Sequence, residues 1–334
     1  MRNTLRLFAL AALAAVTLVA CDIPLHNDLY DLAGKTHSYT PAATYTVTYS
    51  ANGGTGAPTD GASYTQSQTV TVLAPGSMTN GTSVFGGWNT ISDGSGATYD
   101  GSGSVTFSMP GSNVTLYAIW LTVSGTTLTS VPANAKNVII PSGVTSIALS
   151  AFHNDTSLVS VTIPSSVTSI AVQSFLGCSN LTTITSNSAQ YPMLGGGLVE
   201  ASTHTLEAVP AKYSGVFAID GSVTIVQSYA FDQCSNLTSI VIPSGMTSFG
   251  NSNAFSGITS PTFTMHVPAT ITSIAAYAFY NCSITDLYMD SATPPALGSS
   301  AIGACTIHVQ DAAAKASYDA DPNWGAFSSQ IVFP

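Results

Sequence analysis

Histidine, cysteine and glutamate are where catalysis or metal binding would first show in this 334-residue chain, and their spacing argues against both. The six histidines, His26, His37, His153, His204, His266 and His308, never fall three to five residues apart, and the cysteines form no CxxC pair, so no zinc-type ligand set is written. Glu200 and Glu207 are the only glutamates, and nothing in the sequence sets two acids together as a glycosidase pair. No GxSxG elbow, HExxH helix, phosphate loop or dinucleotide fingerprint occurs. The string DGSGATYD, Asp93 to Asp100, spaces acids and serines loosely like a calcium loop, but it lacks a distal bidentate glutamate and reads as a Gly-rich turn. The expectation is a protein without enzymatic activity, cofactor or metal.

The charge balance narrows the partners. Six Lys+Arg stand against sixteen acids. Both arginines, Arg2 and Arg6, precede the apolar stretch LFALAALAAVTL, which is short for a membrane span and ends in LVAC, Leu18 to Cys21. That ending resembles the lipobox of bacterial lipoproteins, and the resemblance implies cleavage before Cys21 and lipidation of its sulfur. A chain so processed keeps four lysines against sixteen acids, a formal charge of −12, and no arginine. It has no bidentate clamp for phosphate and no basic patch for nucleic acid. With two or more acyl chains the anchor would be stable, at about 0.8 kcal/mol per buried methylene. The reading is of residues 1–20 as a signal peptide, residues 21–44 as a lipid-anchored tether, and an exported, monomeric protein held at the outer membrane or cell surface.

Residues 45–120 alternate in the manner of strands: YTVTYS runs into an Asn-Gly-Gly turn, QTVTVL follows, and NVTLYAIW closes the segment. The ordered motifs YTVTYSANGGTG, FGGWNT, DGSGATY and FSMPGSNVTLYAIW resemble the internalin B-type, or Listeria–Bacteroides, repeat. That resemblance implies a small β-grasp-like domain used as a stalk or interaction module on bacterial surface proteins. Trp88 and Trp120, at strand ends, read as core residues rather than a sugar platform.

Beyond residue 120 one phrase recurs. Phe152, Phe175, Phe231, Phe255 and Phe279 are separated by 23, 56, 24 and 24 residues, and the long gap holds one inserted unit containing GGLV and TLEAVP. A fixed period in the twenties signals a solenoid, each rung too small to cover its own apolar face. Within a rung, VTI or IVI puts two side chains inward and one outward, and the proline that follows ends the strand. Leu158, Val161 and Ile163 fill the inward positions of one rung, and Leu237, Ile240 and Ile242 those of another. Cys178, Cys234 and Cys282 fall three residues after a repeat Phe, and Cys305 falls equivalently after Ile302, in a slot that elsewhere holds Asp155 or Ile258. Cysteine as a small hydrophobe explains this, while disulfides between adjacent rungs stay open.

AFDQCSNLTSIVIPSGMTSF and its copies resemble the BspA-like branch of leucine-rich repeat proteins from Val138 to the C-terminus, within a domain read as residues 121–334 whose terminal cap has Asp311 starting a short helix. The rungs at Asp220 and at FGNSNAF depart from the pattern. The fold class expected is mainly β, a small β-grasp-like domain followed by a leucine-rich repeat solenoid. What the resemblance implies is a lipid-anchored surface binding protein, an adhesin for host or neighbouring-cell protein. A glycan-capture lipoprotein of a polysaccharide-uptake system and a spacer without ligand are the alternatives. On the concave face that such folds use for binding, the outward row is Ile139, Thr162, Ala218, Val241, His266, Tyr288 and His308, flanked by Ser160, Ser239 and Asp286. Thr162, Val241, His266, Tyr288 and His308 are the candidate ligand contacts.

Overall fold

The computed structural model describes residues 41–334, so Cys21 and most of the tether lie outside the described residues. Three strands build the core of the first module. Strand β1 (Val47–Ser50) runs parallel to the long β3 (Val114–Ser124), and β2 (Val84–Asn89) lies antiparallel on its other side. Strand β1 pairs only with β3, so the module's sheet is mixed, with β3 inside it and β1 at its edge. Alternation buries Val47, Tyr49, Leu116 and Ala118 around a fully buried Trp88. The Trp88 indole is edge-on to Tyr49 at 4.8 Å and donates to the Leu73 carbonyl at 2.8 Å, which satisfies its one polar atom. The Trp120 indole donates to the Ala51 carbonyl at 2.8 Å and packs on the same core, so both tryptophans are structural.

Strand β3 does not stop at residue 120. It continues to Ser124, turns through Gly125 at φ 60°, and pairs antiparallel with β4 (Thr127–Ser130). Strand β4 in turn pairs parallel with Ser146–Ile147, the first of the short repeat strands. The sheet of the module is thereby the starting edge of the solenoid. The backbone at Gly94 comes so close to Ala135 that a Cβ there would meet its Cα at 3.1 Å. A repeat stack needs a cover at each end, and the first module supplies it at this one.

The repeat strands then stack in parallel. β5 (Asn137–Ile139), β6 (Ser160–Ile163) and β7 (Thr183–Ser186) form one ladder, with Val138, Val161 and Ile184 in line and buried. The inserted unit follows as a hairpin, β8 (Gly197–Glu200) and β9 (Thr205–Ala208). A second ladder holds six strands: β10 (Ser214–Ala218), β11 (Asn236–Val241), β12 (Phe263–Val267), β13 (Ile284–Met289), β14 (Thr306–His308) and β15 (Ile331–Val332). The hairpin divides the interior as well. Leu198 and Ala208 belong to the apolar cluster of the first ladder, and Val199 and Leu206 to that of the second.

The phenylalanines stack as the period requires. Phe152 lies on Phe175 at 5.3 Å, and Phe231, Phe255 and Phe279 form a column at 5.6 and 5.0 Å, with planes within 19° of parallel. Each fully buried Phe contributes roughly 1.5–3 kcal/mol. Two residues past each Phe the chain turns left-handed, at Asn154, Gly177, Gln233, Gly257 and Asn281, with φ between 54° and 87°. Gly and Asn are suited to that region because it crowds a Cβ. At the far end Asp311 accepts from the Ala314 amide at 2.8 Å and opens α1 (Ala312–Ala320). Behind the helix, Trp324 is fully buried and donates to the Pro295 carbonyl at 2.7 Å.

Candidate functional site

The cysteines occupy their common slot as free thiols. Cys178, Cys234 and the equivalent Ile258 are buried, whereas Cys282 and Cys305 are half-buried. Burial pushes the Cys178 thiol up to about 12 and raises Cys234 and Cys282 further, so these thiols stay protonated and unreactive. Asp155, in the same slot, accepts from the Ser157 and Leu158 amides and turns the chain.

The DGSGATYD loop is held from inside. Asn89 is fully buried; its amide donates to the Gly94 and Gly96 carbonyls and to Thr98 Oγ1, and its oxygen accepts from the Ile91 and Gly96 amides. Asp93 and Asp100 each accept a backbone amide two residues on, at 2.9 Å. These are the hydrogen bonds of Asx turns. Among the described residues no group of three or more His, Cys, Asp or Glu is placed to hold a metal ion.

Two further acids line one cavity where the ladders are divided. A small cavity of about 20 Å³ there is lined by Phe175, Glu207, Tyr229 and Asp232 among others. Burial, and then the Glu200 charge, push the Glu207 carboxyl up to about 7. Burial also raises Asp232, although its Oδ2 accepts from the Gly177 amide at 2.8 Å across the division.

The most continuous exposed arrangement of aromatic and polar groups is the outer face of the six-stranded sheet. The register places Ala218 beside Val241, His266 beside Tyr288, Tyr288 beside His308, and His308 beside Val332. Continuing the pairing of Ile240 with Met265 sets Val241 next to His266. Strands about 4.8 Å apart make this a stripe of about 24 Å. At its centre the rings are stacked: His266 on Tyr288 at 4.6 Å and 9°, and Tyr288 on His308 at 4.4 Å and 14°. Stacking follows from register, since parallel strands repeat the same outward position one strand spacing apart. Two carboxylates flank the stack diagonally. His308 Nε2 is 2.8 Å from Asp286 Oδ1, and His266 Nδ1 is 3.6 Å from Asp290 Oδ1. The His308 hydrogen bond holds the Asp286 carboxyl below the usual carboxylate range. Val241 (52% exposed) and Val332 (39%) extend the stripe as apolar ends.

Not every residue of the expected row is there. Thr162 stands on the first ladder between Ile139 and Thr185, separated from the stripe by the inserted hairpin. Asp290 and Val332 join the stripe without having been singled out in the sequence. Asp290 lies two residues past Tyr288 and so shares its face, which period-2 counting alone could have found. Val332 belongs to no repeat, and only the folded cap brings its strand alongside β14.

Parallel rungs of about 23 residues, buried at the inward positions and capped at both ends, define a leucine-rich repeat solenoid. Residues 131–194 and 217–308 match the BspA type leucine rich repeat region in six copies, and residues 45–119 match the Listeria-Bacteroides repeat domain. The chain carries a BspA-type leucine-rich repeat region with a Listeria–Bacteroides repeat domain ahead of it. Solved structures that it resembles include a leucine-rich repeat protein from Eubacterium ventriosum, at 25% identity and a TM-score of 0.42, over 53% of this chain and 48% of that one. Another is a leucine-rich repeat protein from Bacteroides ovatus, at 17% identity and a TM-score of 0.35, over 58% and 64% of the two chains. A third is the leucine-rich repeat protein of T. pallidum, at 20% identity and a TM-score of 0.32, over 52% and 77%. The chain thus spans about half the length of the Eubacterium ventriosum protein. No curated protein matches it. The family points to a protein-binding or adhesion-type role, and its repeats are typically binding scaffolds on surface-exposed proteins. No described helix is long and apolar enough to cross a membrane.

Proposed function

We propose that this chain is a lipid-anchored surface protein that binds another protein, from a host or a neighbouring cell, through the outer face of the six-stranded sheet. The observation that carries this reading is the unbroken stripe from Val241 to Val332 with its stacked centre. A rigid aromatic and imidazole cluster between two exposed valines has the make-up of a binding hot spot. The stack also separates the protein reading from the glycan one. Sugars lie against an open aromatic face, and both faces of Tyr288 are covered by imidazoles, leaving ring edges outward. Thr162 contributes a separate, hydroxyl-rich patch with Ser160 and Thr183, at the rim of the contact.

The test is a biosensor panel of matrix and bacterial surface proteins, run against the parent and a Tyr288→Ser, His266→Ser double variant. The expected outcome is weaker binding by the variant with an unchanged melting temperature. Full binding by the variant would move the site, with residues 45–120 the next region to examine. Anchoring has its own test. Cys21→Ser should abolish acyl labelling and free the protein from membranes or leave it uncleaved; a labelled, detergent-partitioning variant would refute the anchor.

A further inference from the structure

The proposed binding face carries charge in an unusual form: two carboxylates whose neighbouring basic side chains are both histidines. Strands β10, β11 and β15 bring no charged side chain to the sheet. The charged and titratable groups around the stack are Asp286 and Asp290, with the Tyr288 phenol between the imidazoles and the Cys305 thiol near Asp286. Burial, and then the Asp286 charge, push that thiol up to about 11, so it stays neutral. Lys315 in the cap is committed elsewhere, to Asp319 at 3.0 Å and to the Ser328 carbonyl. Among the ion pairs of the described residues, Asp286 and Asp290 each have one partner, His308 and His266 respectively.

Imidazole is the side chain that ordinarily gains its charge between pH 5 and 8. While the rings are neutral, the stripe presents two carboxylates without a cation beside the ring edges, with Val241 and Val332 two strands away on either side. A lysine or arginine side chain suits such a site, its aliphatic stem lying along the ring edges of the stack and its head on a carboxylate. Once the rings are protonated, each carboxylate has a cation fixed beside it, and an incoming lysine or arginine meets like charge instead. We propose that the stripe takes a basic, lysine- or arginine-bearing polypeptide segment at neutral pH and releases it on acidification, with His266 and His308 as internal competitors for Asp290 and Asp286. This rests on the protein-binding reading of the same face and adds to it the charge of the partner and the condition for release.

Fluorescence anisotropy of the purified full chain with three labelled peptides of equal length and apolar content, one basic, one neutral and one acidic, tests it at about pH 7.5 and about pH 5.5. The basic peptide should bind best, and its affinity should fall about tenfold or more at the lower pH. Asp286→Asn with Asp290→Asn should cost about tenfold at neutral pH. Asp93→Asn with Asp100→Asn, which removes the same charge away from the sheet, should cost nothing. His266→Gln with His308→Gln should bring the ratio of affinities at the two pH values towards one. An equal loss in the Asp93, Asp100 pair would reduce the effect to general attraction by an acidic chain and overturn the proposal. Preference for the neutral or acidic peptide, still weakened by Tyr288→Ser, would overturn the charge assignment and leave the binding face standing. Binding of the basic peptide indifferent to Tyr288→Ser and His266→Ser would overturn both. Binding of none of the three would overturn this proposal alone, since the protein panel judges the face independently.

Discussion

The two repeat ladders are written in nearly the same phrase and are built on the same kind of core, yet they face outward with different chemistry. β5 to β7 turn Ile139, Thr162 and Thr185 to the outside, with Asn137, Ser160 and Thr183 in the next row. β10 to β15 turn out Ala218, Val241, His266, Tyr288, His308 and Val332. Inward positions are constrained because each side chain packs on copies of itself above and below. Outward positions meet only solvent and their lateral neighbours, so the repeat leaves them free to vary. The solenoid is a scaffold whose interior is redundant and whose face is individual.

The largest expected effect tests the redundancy. Phe255 is sandwiched between Phe231 and Phe279, and Phe255→Ala should cost about 3–5 kcal/mol in chemical denaturation. Phe175, half-buried and stacked on one side only, should cost clearly less on the same substitution. Equal losses would mean that the two ladders share one continuous core after all.

The next effect probes the division between them. The Glu207 carboxyl is raised from 4.5 to about 7 in the folded chain, so the folded state holds the proton more tightly than the unfolded one. Its contribution is whole below about pH 4.5 and is lost as pH rises through about 7, a swing of about 3 kcal/mol. Glu207→Gln should therefore melt higher than the parent above pH 7 and lose the slope between pH 4.5 and 7. An unchanged pH profile would put Glu207 in water rather than in the joint.

A smaller effect concerns the far cap. Asp311→Ala removes the oxygen that receives the Ala314 amide and should cost about 1 kcal/mol. Because α1 covers the last rung, the loss should register in the six-stranded block and leave the first ladder unchanged, as hydrogen exchange would resolve. The smallest effect belongs to the face itself. Tyr288→Ser with His266→Ser should change stability by about 1 kcal/mol or less, since both side chains lie outside the core and give up mainly their stacking. A large drop in melting temperature would make the stack a structural element rather than a free surface.

The period, the inward leucines and isoleucines, the Phe column, the cysteine slot and the Asp311 cap were all legible in the sequence. Each depends on residues one rung apart, and a rung length near 23 carries that register along the chain. The lipobox-like string LVAC is likewise a matter of local residues. Tertiary structure alone decided three other things. The inserted hairpin split the expected row and left Thr162 on a separate sheet, because an irregular unit breaks the register that repetition would otherwise pass on. Glu207 became a half-buried acid because that same hairpin carries it into the joint between the ladders. His266, Tyr288 and His308 became one stack with Asp286, Asp290 and Val332 around it, since strand spacing and cap docking set the distances between side chains that lie more than 20 residues apart in the chain.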